Sequence, residues 1–457
     1  MTTRNAPPGD NRPSAMFFWP TPERPMVERG EGIYLWDQDG KRYIDGCSGP
    51  QTANIGHGNV RVREAMVEQA EKVSYAFRSH FLNEPAELLA QEIMDVTPDG
   101  FDQVFFGSGG SEVVEACVKL ARQYAIATGE ATRYKVISRL PSYHGTTLGA
   151  LSLTGDPAGF SMFAPMMVNH PKIPAPFCRY RRPGQSEDEA ALEYANALET
   201  EIVSQGVETV LAFIMEPIGG AATGALTAPD IYYHRIREIC DKYGVLLIFD
   251  EVMSGAGRSG KYLSAEHWGV KADLVALAKG LASGYIPLGA CLTSRKIVGA
   301  VEDAGGFNHG HTYSASPIAC AVGRAVLAEH LENDLIGNAA RMGAILKSRL
   351  EGLLEEFEFI GEVRGRGLLL GFDVIADRET GRPLPPELDA HVHLAQEAYD
   401  RGLIIYSRRV MGGARGDNFL VSPPLIVTED QIDEIMDILI QALRAFAPTA
   451  RAAIKAA

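Results

Sequence analysis

Leu246-Leu247-Ile248-Phe249-Asp250-Glu251-Val252-Met253 is an apolar run that ends in two carboxylates and passes into Ser254-Gly255-Ala256-Gly257-Arg258-Ser259-Gly260. Its apolar residues do not alternate with polar ones, so the run reads as a strand buried on both faces. Such strands belong to parallel sheets covered by helices. In an open α/β sheet the C-terminal edge of the strands is where ligands bind. An acid delivered there by a buried strand must be paired, or its ionised form costs several kcal/mol. A metal, a ring-nitrogen cation or a structural ion pair or helix cap would each serve.

Outward from this strand the pattern alternates. Val104 to Phe106 precedes a helical stretch over 111–127, and Lys135 to Ser138 precedes one over 187–204 that opens on Glu187-Asp188-Glu189. Acids at a helix start suit the dipole. Val210 to Met215, a helix over 229–243, Val245 to Asp250 and Leu274 to Ala278 follow. This order predicts an α/β fold with a mostly parallel central sheet, in a large domain over 61–330.

Upstream, Ile33 to Asp45 reads as a hairpin, and 60–80 and 84–97 carry helical spacing. Downstream come helices from 316 and over 335–356, strands near 360–374, a helix over 388–401, a strand over 403–406 and a last helix from 429. That tail predicts a smaller α+β domain over 331–457. Residues 15–60 are assigned to an N-terminal arm and part of the small domain. Within them Met16-Phe17-Phe18-Trp19-Pro20 is too apolar for water and packs either on the chain's own core or on a partner subunit.

The 457 residues carry 58 acidic and 43 basic side chains, a net charge of −15. That surface repels phosphate backbones, so nucleic acid is not an expected partner. No apolar run approaches the ~20 residues of a membrane helix, and the polar N-terminus has no secretory apolar region. Six scattered cysteines form no C-x-x-C pair and no zinc spacing, so no metal is expected. They read as buried thiols of a reducing compartment, the cytoplasm.

Two further segments carry chemistry. Phe105-Phe106-Gly107-Ser108-Gly109-Gly110-Ser111-Glu112 runs from a strand through a Gly-rich turn into a helix start. Glycines there admit an anion to the free N–H groups and the dipole. It matches neither the triphosphate nor the dinucleotide motif, and a tight turn without a ligand would read the same. In Asp273-Leu274-Val275-Ala276-Leu277-Ala278-Lys279-Gly280 a lysine ends an apolar run. Desolvation lowers a lysine's pKa and makes the amine a nucleophile and base.

A phosphate cradle, an acid for a ring nitrogen and an imine-forming lysine are together what pyridoxal phosphate requires. From about residue 16 to 445 the chain resembles the class III (omega-type) aminotransferases, amine:pyruvate-like members of the fold-type I pyridoxal-phosphate superfamily. Ile248 to Gly280 carries the family signature. The resemblance implies pyridoxal 5′-phosphate as cofactor and roles for the matching residues. Lys279 would form the imine and Asp250 pair with the ring nitrogen. Val252 and Tyr143 would lie against the two ring faces, and Gly110 and Ser111 would bind phosphate. Glu216 would sit near cofactor and substrate. Thr312 would reach the phosphate of the neighbouring subunit, which implies a homodimer with shared active sites, or a tetramer of such pairs.

Some positions depart from the family pattern. The cradle reads Gly109-Gly110-Ser111, one hydroxyl short. Met253 replaces the glutamine of ornithine- and GABA-type members, which leans toward amine:pyruvate chemistry. Gln51 stands where several omega-amine enzymes have an aromatic wall, so it is expected to touch substrate. Arg415 is the candidate for the mobile arginine that grips a substrate carboxylate, with Arg408 and Arg409 as rivals. The implied partners are an omega-amine or non-alpha amino acid donor and a 2-oxo acid acceptor, pyruvate, in ping-pong sequence. A racemase, epimerase, aminomutase or decarboxylating transaminase on the same fold would share the cofactor residues. A phosphate-binding protein or metal-assisted hydrolase would leave Lys279 and Tyr143 unexplained.

Overall fold

The computed structural model describes Phe17 and residues 24–456. The rest of the apolar Met16–Pro20 segment lies outside the described residues. At the centre is a seven-stranded sheet. Its strands are β1 (Gln103–Gly107), β2 (Lys135–Leu140), β3 (Lys172–Pro174), β4 (Val210–Met215), β5 (Leu246–Asp250), β6 (Leu274–Leu277) and β7 (Gly289–Thr293). Their spatial order is β1-β7-β6-β5-β4-β2-β3. Neighbours among β6, β5, β4, β2 and β3 are parallel, and β7 is antiparallel to both β1 and β6.

The apolar runs are continuous because both faces are covered. β4 is buried along its whole length. Ile248, Leu274 and Ala276 pack with Val113, Val114 and Cys117 of helix α1 (Gly110–Ala127). Leu247, Phe249, Val275 and Leu277 face the other way, into the core shared with α2 (Glu187–Gln205) and α3 (Asp230–Tyr243). The acids that open α2 include half of a capping box between Ser186 and Glu189.

Two four-stranded sheets flank this unit. Val27–Glu31, Tyr34–Asp37 and Arg42–Asp45 form an antiparallel meander. In its turn Asp37 Oδ1 accepts the Asp39 and Lys41 N–H groups at 3.0 and 2.9 Å. Ile360–Arg366, Leu369–Val374, Asp417–Val421 and Tyr406–Arg409 form the other sheet, also antiparallel.

Two sequence expectations need correction. The helix expected over 60–80 is Val60–Lys72; Val73 turns extended, and Tyr75, Phe77, Phe81 and Leu82 are exposed. The single strand expected over 403–406 is two. Leu403–Ile404 pairs parallel with Ile44 and Asp45, whereas Tyr406–Arg409 joins the C-terminal sheet. One short run thus edges two sheets, which no periodicity could distinguish.

Register brings the site together. Asp250 pairs with Ala276, Leu277 with Ala290, and Gly289 with Gly107. The segments after β1, β5 and β6 therefore leave one edge of the sheet, where those after β2 and β4 also emerge. Among the described residues no helix is long and apolar enough to cross a membrane.

Candidate active site

A cavity of about 550 Å³ opens at that edge. Gly110, Ser111, Tyr143, Glu216, Asp250, Val252, Lys279 and Gln51 all line it, with His144, Met253, Tyr406 and Arg408.

Lys279 stands two residues beyond β6 with φ +46°, a conformation that a non-glycine residue adopts only under constraint from its surroundings. Its side chain keeps some exposure, and it lines the cavity. Burial pushes the ammonium down to about 8; Asp250 pulls it up, and Arg258 pushes it further down. The amine is therefore available in neutral form near physiological pH, where an ordinary lysine is almost wholly protonated.

Asp250 is 5% exposed. Its Oδ1 accepts the Val252 N–H at 3.1 Å, and its Oδ2 lies 2.8 Å from His144 Nδ1. A carboxylate only accepts, which assigns the shared hydrogen to Nδ1. His144 Nε2 is buried without a partner among the described residues. The adjoining Glu251 points the opposite way. It accepts the N–H groups of Ser264 and Ala265 at 2.6 and 2.9 Å, and burial raises its carboxyl to about 7. The pair of acids is thus one site group and one structural cap. No group of three or more metal-ligating side chains exists among the described residues.

Glu216 is held by Arg139, whose Nη2 donates to Oε2 at 3.0 Å, while the Tyr143 N–H donates to Oε1 at 3.0 Å. Burial works against its charge. The fields of His144 and Arg139 and the N–H bond outweigh burial, so the carboxyl titrates below its ordinary value. Glu216 thereby pins the backbone that presents Tyr143, whose phenol is raised chiefly by burial.

The turn before α1 is shaped by close contacts. A Cβ on Gly110 would lie 2.9 Å from Val252 Cγ1, and one on Gly145 (φ +131°) would lie 2.3 Å from Ser111 Oγ. Ser111 Oγ accepts the Thr146 N–H at 3.1 Å. Glu112 reaches back to the Ser108 N–H at 2.8 Å. The N–H groups that open α1 have no partner within the helix.

The arginine assignment changes. Arg415 does not line the cavity; its guanidinium lies over the rings of Phe177 and Tyr180, 5.5 and 5.0 Å from their centroids. Arg409 is tied to Asp417 and Asp389. Arg408 is the arginine of the cavity wall, 5.7 Å from the Tyr143 ring and paired with Asp156 at 2.6 Å. Thr312 is exposed and lies outside the cavity of its own chain, its carbonyl accepting from Tyr75 Oη at 2.9 Å. His144, Arg139 and Arg258 escaped the sequence reading. His144 had a signal, its place beside Tyr143; the two arginines had none.

These features fit pyridoxal phosphate. N–H groups left without a helical partner at a glycine-built helix start suit a phosphate. A buried acid backed by a histidine suits a ring nitrogen. A desolvated amine suits an aldehyde carbon, and Tyr143 and Val252 offer flat and apolar surfaces for ring faces.

Comparison with known proteins agrees. The family profile described as aminotransferase class-III matches residues 20–443. An uncharacterized aminotransferase of Bacillus subtilis, YodT, is 39% identical over 423 residues, 92% of this chain and 95% of that protein. A mitochondrial gamma-aminobutyrate transaminase of Oryza sativa is 35% identical over 92% of this chain and 81% of its own length. The structure of a thermostable (S)-enantioselective omega-transaminase from Thermomicrobium roseum superposes with a TM-score of 0.87 at 37% identity, covering 93% of both chains. The omega transaminase of Pseudomonas jessenii gives 0.88 at 32% identity, over 93% of this chain and 94% of that one. On this family match and a site that suits the cofactor, the chain belongs to the class-III aminotransferases, enzymes that depend on pyridoxal 5′-phosphate.

Proposed function

We propose that this aminotransferase takes an amino group from an omega-amine or non-alpha amino acid and passes it to pyruvate in a ping-pong cycle. The observation that carries the acceptor is the charge of the wall. Apart from Lys279 and His144, Arg408 is the one basic side chain lining the cavity among the described residues. One guanidinium matches the single carboxylate of pyruvate; a dicarboxylic 2-oxo acid would need a second cation. Relatives named gamma-aminobutyrate transaminases and omega-transaminases support a donor whose nitrogen is not on an alpha carbon.

When bound, the cofactor supplies an aldehyde that carries the amino group and a cationic ring that draws electrons from the reacting carbon. Gly110 and Ser111 would hold its phosphate, Asp250 its ring nitrogen, and Tyr143 and Val252 its two faces. Asp250 keeps a proton on that nitrogen, and His144 Nδ1 keeps Asp250 oriented. Lys279 Nζ, pushed down to about 8 and so partly neutral near physiological pH, takes a proton from the donor carbon that bears nitrogen. It returns one to the corresponding carbon of the acceptor. Arg408 leaves Asp156 to grip the acceptor carboxylate, and returns to it when a donor without a carboxylate binds. Glu216 keeps Tyr143 in place through its backbone.

We also assign a homodimer, with Thr312 of one subunit serving the site of the other. Thr312 is exposed, as are Tyr313 beside it and Tyr75, which donates to its carbonyl. Six free, buried cysteines support a reducing compartment, the cytoplasm.

The test is an absorbance spectrum of the purified holoenzyme with a panel of amines, followed by pyruvate. A visible band that an amine bleaches and pyruvate restores is the expected result. A band that no amine changes would move the assignment to racemase or aminomutase chemistry. Lys279→Ala should lack the band's imine form and nearly all turnover.

A further inference from the structure

Gln51 is 1% exposed and lines the cavity, yet among the described residues neither its Nε2 nor its Oε1 has a hydrogen-bond partner. A buried amide left unpaired loses the hydrogen bonds it made in water, and buried polar side chains without partners are few in native proteins. Its backbone is also held in an unfavourable state. Ser48, Gly49 and Gln51 have φ of +53°, +60° and +57° in one short turn. That turn is clamped by Arg258, whose Nη2 donates to Ser48 Oγ at 3.0 Å and to Asn54 Oδ1 at 2.7 Å. Strain kept by a buried clamp, presenting an unsatisfied amide to a ligand cavity, is the mark of a recognition group.

We infer that Gln51 is a specificity-determining residue for the donor, selecting amines whose chain carries a neutral group that both donates and accepts hydrogen bonds. A hydroxyl or a carboxamide is such a group. The glutamine head has an N–H₂ that needs an acceptor and a carbonyl that needs a donor. An alkyl or aryl substituent leaves both unmet. A carboxylate satisfies only the N–H₂, and Arg408 supplies the better partner for it. A hydroxyl or carboxamide answers both. This inference rests on the aminotransferase reading, because it names the donor class of that same site.

The experiment follows one half-reaction, the bleaching of the holoenzyme's visible band by matched primary amines. The pairs are 4-amino-1-butanol against pentylamine, and 5-aminopentanamide against hexylamine. The wild type should favour the polar member on the order of 10²-fold in rate per donor concentration, because the apolar member strands buried polar groups. In Gln51→Met, near in size and shape, the preference should fall to within about threefold. Gln51→Glu should move preference toward diamines, whose second ammonium matches a carboxylate. Thermal unfolding of the apoprotein gives a separate readout. Gln51→Met should melt no lower than wild type, because it removes an unpaired amide. A melting temperature several degrees lower would make Gln51 a structural residue and overturn the inference. Equal rates for both members of each pair in the wild type, or an unchanged preference in Gln51→Met, would overturn it while leaving the aminotransferase reading intact. A band that no amine bleaches would remove that reading, and this inference with it.

Discussion

Replacing Lys279 by methionine should make the apoprotein more stable at neutral pH. The ammonium of Lys279 is held in a site where burial pushes its pKa to about 8, against an ordinary value of 10.5. A lysine whose folded pKa is depressed binds fewer protons folded than unfolded between those two values. Its contribution to stability is present above about pH 10.5 and is lost as pH falls through 8. The distance between those two values corresponds to about 3.4 kcal/mol, and partial exposure to the cavity trims this to about 2–3 kcal/mol. An unfolding entropy of about 2.1 cal/mol/K per residue gives about 1 kcal/mol/K for 457 residues. The apo form of Lys279→Met should therefore melt about 2–3 °C above apo wild type at pH 7. Methionine fills the same volume without a charge, so packing is not the variable. The assay is differential scanning calorimetry of both apoproteins at pH 7.0 and at pH 10. Comparing the two proteins at each pH cancels every other titrating group. The gap should shrink at the higher pH as the folded wild-type amine becomes neutral and the unfolded one begins to. A variant that melts below wild type at pH 7, or a gap that does not change with pH, would refute the desolvated-amine account of Lys279.

Three further outcomes follow from geometry. Gly110→Ala places a Cβ 2.9 Å from Val252 Cγ1; overpacking of about 1–3 kcal/mol should weaken pyridoxal phosphate binding about 5- to 150-fold, read by titrating the apoprotein, and an unchanged affinity would reject the cradle. Arg258 donates to Leu368 O, Ser422 O, Pro423 O, Ser48 Oγ and Asn54 Oδ1. Arg258→Lys offers three N–H donors to those five acceptors, so two stranded groups at ~1–3 kcal/mol each should lower the melting temperature by about 2–6 °C; no loss would mean that water replaces the clamp. Arg408→Ala removes a charge-assisted contact of about 1.5–3 kcal/mol and should raise KM for pyruvate by roughly 10- to 150-fold, with a much smaller effect on a donor lacking a carboxylate. Equal effects on both substrates would argue that Arg408 only shapes the wall.

How far the site could be read in advance differs from residue to residue. Asp250 and Lys279 were legible because Asp250 ends an apolar strand and Lys279 closes an apolar run two residues past one, and both then emerge at the open edge of the sheet. Gly110 and Ser111 were named only by the resemblance to the family, because a glycine-rich turn without a ligand reads the same. The parallel sheet was legible for the same reason as Val210–Met215, whose unbroken apolar run needs cover on both faces. Less accessible was the break between Leu403–Ile404 and Tyr406–Arg409, because the first pairs with Ile44 and Asp45, far away in the chain, and such a partner leaves no local period.

What the sequence determined by itself was therefore the element order, the edge at which chemistry would gather, and the residue types that name the cofactor. These rest on short-range patterning and on the cost of burying polar groups, both of which are local. Only the tertiary structure decided which arginine faces the cavity, since Arg408 meets Asp156 across 252 residues while Arg415 rests on two aromatic rings. It likewise decided that His144 backs Asp250 across 106 residues, that Glu251 turns away to cap a short helix, and that Gln51 is left without a partner among the described residues. Each of those facts depends on which distant side chains meet in space. That is set by the packing of whole layers, not by the residues on either side in the chain.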